Sequence, residues 1–403
     1  MKPGHDEAGR RRRAWQFIVL MGLVSLLADM TYEGGRSLTG PFLAFLGAGP
    51  AVVGLVSGLG ELLGYGLRLG SGYLADRTRR YWLLTILGYG TNLFALPLLA
   101  LVGRWEAAAA LIVLERVGKA LRTPSRDAML SHATRRVGTG LGFGLHELLD
   151  QIGALAGPLL VAGVLYARAA DYRPAFLALL LPAGLALASL LISRALFPDP
   201  EELEAGEGQE SPPVATAPLP PLLRTYLLFT VFAVAGYAHF QLISYHLKVQ
   251  GLVPDPQIPL LFALAMGVDA LLALPVGRLF DRKGLGTLVL LPVLALPVPF
   301  LAFSSRYAFI LAGMVFWGAA MAVQETIMRA ALAHMTPATR RGLAYGLFNA
   351  AYGLAWFAGS ALLGLLYGLG LPYLIMAATG LELLSLIWLA RLTKAGQSAG
   401  SDA

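Results

Sequence analysis

The chain has 403 residues, of which 57% are hydrophobic and 14% are charged, and its mean hydropathy is +0.65. An ordinary soluble domain carries about 25% charged residues, so this composition excludes a soluble globular class. The net charge of +7 does not indicate a nucleic-acid partner, because the basic residues are spread over separate turns rather than one groove-fitting face. The absence of cysteine excludes disulfides and thiolate metal sites.

The first half of the sequence predicts helices that cross a lipid bilayer, each needing about 20 largely apolar residues. They fall at 14–44, 50–74, 81–102, 106–124, 138–166 and 173–196, so that 14–196 is the predicted N-terminal bundle. A basic segment, 1–13, precedes them. We do not interpret this start as a signal peptide, because Asp29 and Glu33 interrupt the first apolar run and no convincing cleavage site follows.

Composition changes abruptly at 197–221, which contains six acidic residues and several prolines. This segment is predicted to be a solvated linker, because it lacks the apolar content needed to fold. Further membrane helices are predicted at 222–246, 258–280, 285–303, 307–332, 341–368 and 371–390. They make 222–392 the C-terminal bundle and leave 393–403 as a tail.

The distribution of Lys and Arg predicts how the chain is oriented in the membrane. Of 31 such residues, five lie in the predicted outer loops, namely Arg104, Arg168, Arg173, Lys248 and Arg306. Most of the others lie in turns on the opposite side, as the positive-inside rule expects of cytoplasmic loops. We therefore expect a multi-pass protein of a bacterial-type cytoplasmic (inner) membrane, with both termini and the linker in the cytoplasm.

One short pattern occurs once in each half, after the second helix and after the eighth. Residues 72–80 read Gly-Tyr-Leu-Ala-Asp-Arg-Thr-Arg-Arg, and residues 277–284 read Gly-Arg-Leu-Phe-Asp-Arg-Lys-Gly. Both segments are predicted to be loops. A second pair of similar segments, 131–138 and 334–342, follows the fourth and tenth helices. Such repetition indicates duplicated halves, which in many secondary transporters place one site at a midplane interface.

The first copy resembles motif A of the major facilitator superfamily, although Thr78 replaces a usual Gly. The resemblance implies an all-α polytopic membrane protein with 12 transmembrane helices in two pseudo-symmetric six-helix bundles, acting as a monomeric secondary transporter. It also implies a gate in which an Asp beside a helix end forms a charge-assisted clasp with Arg. The alternative is that the basic residues only anchor the topology. The predicted gate residues in and just before these segments are Arg68, Gly72, Asp76, Arg77, Arg80, Asp281 and Arg282.

The fifth helix carries Gly144, Gly153 and the pair Gly157 and Pro158, a spacing that resembles the family's antiporter motif C. The usual closing Gly-Gly pair is missing. Small residues let membrane helices approach closely, and Pro distorts a helix. We predict that these four residues take part in gating and favour antiport, with ordinary helix packing as the alternative.

Ionisable residues at bilayer depth mark ion pathways and proton relays. Arg116 takes the place of the Arg in the family's motif B, with Lys119 where Gly is usual, and is expected to pair with Asp29 or Glu115. A nearby cation favours the charged form of an acid and desolvation opposes it, so such a carboxylate can switch; a static ion pair is the alternative. The predicted proton-coupling residues are Asp29, Glu33, Glu115, Arg116, Glu147 and Asp150.

The second half is poorer in charge and richer in aromatic and amide groups. By analogy with the family, the first, fourth, seventh and tenth helices line a central cavity. The predicted cargo residues are Arg36, Lys119, His239, Gln241, Tyr245, Glu325, Arg329, Asn349 and Trp356. For Glu325 and Arg329, which are four residues apart, a simple salt bridge is the alternative.

The sequence does not predict an enzyme, a cofactor or a metal site, because it contains neither an ATP-binding phosphate loop nor a cluster of metal ligands. We therefore expect an ion gradient to drive transport, with protons favoured and sodium as the alternative. The leading interpretation is a proton-coupled exporter of a small organic molecule that works by alternating access. The alternatives are a proton-coupled importer of a sugar, an organic anion or another nutrient, and a non-transporting membrane receptor. The substrate is not identified, since one scaffold serves unrelated cargo.

Overall fold

The computed structural model describes residues 3–200, 221–336 and 340–401. These ranges are almost entirely helical, and no strand occurs within them. A bilayer core has no water to pair with exposed backbone N–H and C=O groups, so it favours helices, which pair these groups internally. The prediction of an all-α polytopic membrane protein is confirmed. Most of the predicted linker, residues 201–220, lies outside the described ranges.

The first half of the chain begins with two long helices, α1 (Pro3–Phe45) and α2 (Pro50–Thr78). Next come α3 (Tyr81–Leu98), which continues as a 3₁₀ turn over Leu99–Leu101, and α4 (Trp105–Val137). The last three helices before the linker are α5 (Thr139–Ala167), α6 (Tyr172–Ala178) and α7 (Leu180–Leu196).

The second half begins with α8 (Pro221–Gly236), α9 (Phe240–Val249) and α10 (Gln257–Lys283). A 3₁₀ turn over Gly284–Val289 leads into two short helices, α11 (Leu290–Ala295) and α12 (Val298–Ala302). Three long helices complete this half, α13 (Tyr307–Met335), α14 (Arg341–Leu369) and α15 (Leu371–Ser401).

Ten helical segments of the described chain are long and apolar enough to cross a membrane. Two observations reconcile this number with the twelve predicted crossings. The segment Gln257–Ala302 has 46 residues, which is enough for two crossings. The remaining crossing is α4. It is not one of the ten segments, and four charged residues lie in its middle, namely Glu115, Arg116, Lys119 and Arg122.

Several predicted boundaries are wrong. The segment 72–78 is not a loop but the last turns of α2, and its counterpart 277–283 ends α10. The fourth helix does not end at Pro124 but runs to Val137, with the proline inside it. Proline is tolerated within membrane helices, because neighbouring groups satisfy the freed carbonyls. Conversely, the seventh predicted helix is interrupted at residues 237–239 and the ninth at Pro297.

The chain divides into two compact units, residues 1–38 with 66–209 and residues 39–65 with 210–403. The core of the first unit includes Phe17 and Trp82, whose ring centroids lie 6.3 Å apart. The core of the second unit includes Phe262 and Trp317, with centroids 6.1 Å apart.

The second unit also contains residues 39–65, which the sequence analysis placed in the N-terminal bundle. Close packing of α2 against α14 within this unit accounts for the assignment. A Cβ atom on Gly54 would lie only 2.2 Å from the carbonyl oxygen of Ser360, so the two backbones are in contact there.

Candidate functional site

A row of polar contacts, here called the polar seam, joins α1 to α4 inside the first unit. Arg126 Nη1 donates a hydrogen bond to Ser25 Oγ at 3.1 Å. One turn further along α1, Asp29 Oδ1 lies 3.8 Å from Arg122 Nη2. In the next turn, Lys119 Nζ lies 3.6 Å from the centre of the Tyr32 ring. Residues three or four positions apart share a helix face, so the antiparallel helices bring these groups together in successive turns.

The two partners of the Asp29–Arg122 ion pair differ in their exposure to solvent. The Arg122 side chain is 1% exposed, whereas the Asp29 side chain is 16% exposed. The Arg122 guanidinium also lies 4.2 Å over the ring of Tyr89 on α3. The cation is therefore fixed and enclosed, while the carboxylate is the partner that a proton can reach.

Arg116 makes the pairing expected with Glu115 and not the one with Asp29. Its Nε atom lies 3.2 Å from Glu115 Oε2, and both side chains are buried. Arg116 also donates a hydrogen bond to the hydroxyl of Tyr32, and Asn92 on α3 donates one to Glu115. Glu115 is thus held from two sides, which makes it a more enclosed carboxylate than Asp29.

Further along α1, Glu33 and Arg36 form a local pair. Arg36 Nη1 lies 3.4 Å from Glu33 Oε1, and both residues are buried. Arg36 was predicted to contact cargo and Glu33 to couple protons. The structure places the two residues together, three positions apart on the same helix, which favours a mutual structural role.

Helix α5 packs on α1 through the glycines of the antiporter-like motif. A Cβ atom on Gly153 would lie 2.1 Å from the carbonyl oxygen of Leu26, and one on Gly157 would lie 2.1 Å from that of Met30. These contacts flank the turn of α1 that carries Asp29, and α5 therefore supports that turn directly. No such contact exists at Gly144, where an added Cβ would meet no described atom within 4 Å.

The polar residues of α5 extend the seam on the side of Ser25. His146 Nε2 lies 3.2 Å from Ser25 Oγ and 3.9 Å from Asp150 Oδ2. Asp150 in turn lies within electrostatic range of Asp29 and Arg126. Glu147 differs from these residues because it is exposed. Asp150 therefore belongs to the seam, and Glu147 lies outside it.

The predicted gate residues at the end of α2 lie at the surface. Asp76, Arg77 and Arg80 are exposed, and Arg77 Nη1 donates a hydrogen bond to Tyr73 Oη at 3.3 Å. Gly72 faces α4, since a Cβ atom there would lie 3.6 Å from Pro124. At the end of α10, Asp281 and Arg282 are likewise exposed. A clasp by these residues stays a prediction.

The second unit contains a cluster of aromatic and amide side chains, here called the aromatic–amide cluster. Its ring centroids lie 4.6 Å apart for His239 and Trp356, 5.0 Å for Trp356 and Tyr352, and 4.9 Å for Tyr352 and Tyr65. The Tyr352 hydroxyl donates a hydrogen bond to Gln324 Oε1 at 2.8 Å. The cluster is neutral apart from the titratable imidazole of His239.

Two polar atoms of the cluster, Gln324 Nε2 and Trp356 Nε1, have no hydrogen-bond partner among the described residues. The same holds for Oε1 of the buried Gln241 on α9. Buried polar groups are normally satisfied, so donors and an acceptor left open mark a place where a polar ligand can bind.

Other predicted cargo residues of this half lie elsewhere. Glu325 and Arg329 are exposed, and Asn349 is half-buried. Tyr245 packs edge-on against Tyr367, with ring centroids 6.0 Å apart.

His239 and Gln241 lie at a break in the seventh predicted helix, between α8 and α9. Trp317 on α13 braces this break, because its Nε1 donates a hydrogen bond to the carbonyl of Ala238 at 2.9 Å. Tyr237 donates from its hydroxyl to the carbonyl of Trp317 at 2.8 Å. Broken membrane helices are tolerated where protein surrounds them, and in transporters they commonly form the binding site.

Sequence reasoning missed the partner of Asp29. Arg122 shares a face with Lys119 in the sequence pattern, but the register of α1 against α4 decides which cation meets Asp29. It also missed Tyr89 and Asn92 on α3, whose only signal was their polar character within an apolar helix. Among the described residues, no group of three or more His, Asp or Glu side chains is arranged to hold a metal ion.

Comparison with known proteins gives a consistent result. Residues 18–295 and 253–402 match the sequence profile of the Major Facilitator Superfamily. An uncharacterised protein of Mycobacterium tuberculosis is 44% identical over 376 residues, which cover 93% of this chain and 92% of the relative. An uncharacterised MFS-type transporter of Methanocaldococcus jannaschii is 26% identical over 361 residues, covering 87% and 88%.

Two solved structures share the fold at low sequence identity. The nucleoside transporter NupG has a TM-score of 0.71 and 13% identity, covering 94% of this chain and 98% of its own. A bacterial homologue of the human lysosomal transporter Spinster, in an inward-facing and occupied conformation, has a TM-score of 0.72 and 14% identity, covering 94% and 96%.

Proposed function

Since the chain belongs to the Major Facilitator Superfamily and is a multi-pass membrane transporter, we propose that it exports a small organic molecule in exchange for protons. The observation that carries this proposal is the Asp29–Arg122 pair, with its enclosed cation and its more accessible carboxylate. Ionisable residues within membrane helices commonly form proton relays, and this pair joins two helices of one unit.

Proton binding would act on the seam by removing one charge. A proton on Asp29 cancels the attraction to Arg122 across the 3.8 Å contact. The freed guanidinium keeps its contact with Tyr89, so the change is felt mainly by α1. Because Gly153 and Gly157 hold α5 in backbone contact with α1 on either side of Asp29, α5 would follow a movement of that turn. The seam therefore provides a way to convert protonation into helix movement.

The resemblance of Gly153, Gly157 and Pro158 to the antiporter motif supports export over import. The close backbone packing of these glycines is the kind of contact for which small residues are required in membrane helices. The alternative, import of an organic anion, is favoured by the position of Lys119, whose ammonium group packs on Tyr32 beside Arg116.

The aromatic–amide cluster supports an organic cargo with a ring and hydrogen-bonding groups. Its rings offer stacking surfaces, and Gln324 and Trp356 offer donors. Proteins of the same fold include a nucleoside transporter and a transporter bound to 5-aminolevulinic acid. A nucleoside, 5-aminolevulinic acid and a peptide are therefore suitable first probes.

Proteoliposomes that enclose the pH dye pyranine test both coupling and direction. Radiolabelled uridine, dialanine or 5-aminolevulinic acid is added outside, and probe uptake and lumenal pH are recorded together. Exchange for protons predicts that lumenal pH rises as the probe enters, whereas proton-coupled import predicts that it falls. Uptake by the wild type with no change in pH would overturn proton coupling.

Two variants make the assignment specific to Asp29. Asp29→Asn is expected to abolish the probe-dependent pH change. Glu106→Gln, which alters an exposed acid at the start of α4, is expected to retain it. Full coupling in the Asp29→Asn protein would remove Asp29 from the proposal.

We also propose that the protein is a monomer in the cytoplasmic membrane and that both of its termini lie in the cytoplasm. Because the chain contains no cysteine, single introduced cysteines report the topology without background. Gly9→Cys and Gln250→Cys are expected to react with a membrane-impermeant maleimide from opposite sides. Reaction of both from the same side would contradict this topology.

A further inference from the structure

Glu382 on α15 is a buried acid that the proposed mechanism does not use. The residue is 1% exposed. Ser385 Oγ donates to the backbone carbonyl of Glu382 at 2.7 Å and lies 3.5 Å from its Oε2 atom. Its Oε1 atom has no hydrogen-bond partner among the described residues. Burying a carboxylate with so little compensation is costly, so the residue calls for an explanation.

The position of Glu382 along α15 places it deep in the membrane. The helix begins at Leu371, eleven residues earlier, which is about 16 Å at the rise of an α-helix. The hydrocarbon core of a bilayer is about 30 Å thick, so the carboxyl group lies near its middle. Water and lipid headgroups are therefore too far away to balance the charge.

The end of another helix meets Glu382 at this depth. Helix α8 ends at Gly236, where the chain leaves helical geometry for three residues before α9 begins. A Cβ atom on Gly236 would lie 3.1 Å from Glu382 Oε1 and 3.1 Å from the carbonyl oxygen of Ala378, so the two backbones approach closely here. The last carbonyls of a helix carry partial negative charge. A carboxylate and a helix C-terminus thus share one buried place, and both attract a cation.

The neighbouring elements offer little positive charge to this place. Helices α11 and α12 and the turn Gly284–Val289 contain no titratable residue. On α8 the titratable residues are Arg224, which is exposed, and Tyr226. Arg224 lies twelve residues before Gly236, which is about 18 Å along the helix.

The other neighbours are equally poor in cations near Glu382. Along α15 itself the titratable residues are Tyr373, Arg391 and Lys394, and Arg391 lies about 13 Å further along the axis, over the ring of Trp388. In the break, His239 packs on Trp356. Helix α14 supplies Arg341 in its first turn and three tyrosines, Tyr345, Tyr352 and Tyr367. Among the described residues, no side-chain cation forms an ion pair with Glu382.

We propose that Glu382 and the C-terminal end of α8 form a binding site for one monovalent cation, a proton or Na⁺. The bound cation neutralises the carboxylate and the partial charge of the helix end together. The site lies within the second unit and is separate from the Asp29–Arg122 pair of the first. Because the site includes the end of α8, cation binding would act directly on the break between α8 and α9, which lies next to the aromatic–amide cluster.

Thermal unfolding of the purified full-length protein tests the site without any knowledge of cargo. One arm lowers the pH in sodium-free buffer containing N-methylglucamine, and the other titrates NaCl at a fixed alkaline pH, with choline chloride matching the ionic strength. A cation that binds only the folded state raises the midpoint as its concentration rises. We expect the wild-type midpoint to rise by about 1–2 °C for each tenfold increase above the dissociation constant in one arm.

Glu382→Gln removes the carboxylate and keeps its shape, so this variant is expected to lose the rise in that arm. Glu106→Gln is the matched control and is expected to keep it. The responding arm identifies the cation as a proton or as Na⁺. Identical midpoint curves for the wild type and Glu382→Gln in both arms would overturn the site.

Infrared difference spectroscopy provides a second readout if Glu382→Gln does not fold. The wild type is expected to show a carboxyl band that changes with the same cation, and Glu382→Asp is expected to shift that band. A wild-type spectrum with no cation-dependent carboxyl signal, or a band that Glu382→Asp leaves in place, would also overturn the site.

Discussion

The energetic coupling between Asp29 and Arg122 can be predicted from their geometry. At 3.8 Å and an effective dielectric constant of about 20, Coulomb's law gives an attraction of about 4 kcal/mol. The side chain of Asp29 is 16% exposed, so solvent screens part of this attraction. We therefore expect a coupling free energy of about 2–3 kcal/mol in a double-mutant cycle.

The cycle uses Asp29→Asn, Arg122→Gln and the double variant, each unfolded by titration with sodium dodecyl sulfate in mixed micelles. Each single variant is expected to lower the free energy of unfolding by about 3 kcal/mol, because it leaves one charge buried without its partner. The double variant is expected to be about as stable as either single variant, since both charges are then gone.

An exposed pair in the same protein supplies the matched control. Arg104 Nη2 lies 3.3 Å from Glu106 Oε1, but these side chains are 81% and 48% exposed. The same cycle on this pair is expected to give less than about 1 kcal/mol. A coupling below about 0.5 kcal/mol between Asp29 and Arg122 would mean that the two sites act independently, and it would refute the seam as a charge switch.

Three further predictions concern packing, the helix break and the loop after α9. Gly157→Ala is expected to lower the thermal midpoint sharply, because its Cβ would lie 2.1 Å from a carbonyl oxygen of α1; an unchanged midpoint would contradict this packing. Trp317→Phe is expected to cost about 1–3 kcal/mol in free energy of unfolding, because the carbonyl of Ala238 loses its donor; a loss below about 0.5 kcal/mol would show that the bond does not brace the break. Asp255→Asn, which breaks the partly buried ion pair with Lys248, is expected to cost about 1–3 kcal/mol, and the cost is expected to fall at high salt because the Lys248 side chain is 27% exposed; a salt-independent loss would argue against a screened pair.

The helical architecture was predictable because bilayer physics leaves few choices. Long apolar segments must pair their backbone groups internally, and this gives helices at nearly every predicted position. The break between α8 and α9 was not predictable, because residues 236–239 contain no proline and glycine is frequent in continuous membrane helices. Trp317, from a distant helix, satisfies the break through a bond that no local pattern reveals. The segment 72–78 was wrongly predicted to be a loop because it contains charged and small residues. A helix end that lies beyond the bilayer accommodates such residues equally well.

The candidate site was predictable in its residue types but only partly in its pairs, since the Glu115–Arg116 pair was expected and the partner of Asp29 was not. A carboxylate inside a membrane helix is conspicuous in a sequence, and Asp29 was identified on that ground. Its partner depends on the register between α1 and α4, which only the packed structure fixes. Glu382 was overlooked because it stands alone, without the neighbouring charges that drew attention to the first half. Its significance comes from the end of α8 beside it, a feature created by an unpredicted break.

The two units differ in the ionisable groups of their candidate sites, and this difference bears on which unit would couple protons and which would bind cargo. In the first unit, Asp29 and Glu115 each face an arginine of α4, so a single proton there changes a contact between or within helices. In the second unit, the buried cluster contains no carboxylate or guanidinium, and apart from the imidazole of His239 it consists of rings and amides. Under the proposed function, coupling would belong with the first unit and cargo recognition with the second, unless Glu382 binds a cation. In that case the second unit would have a charge-dependent element of its own at the end of α8, beside the cluster proposed to hold cargo. If cation binding at that site changes the affinity for cargo, cargo must change the affinity for the cation by the same factor.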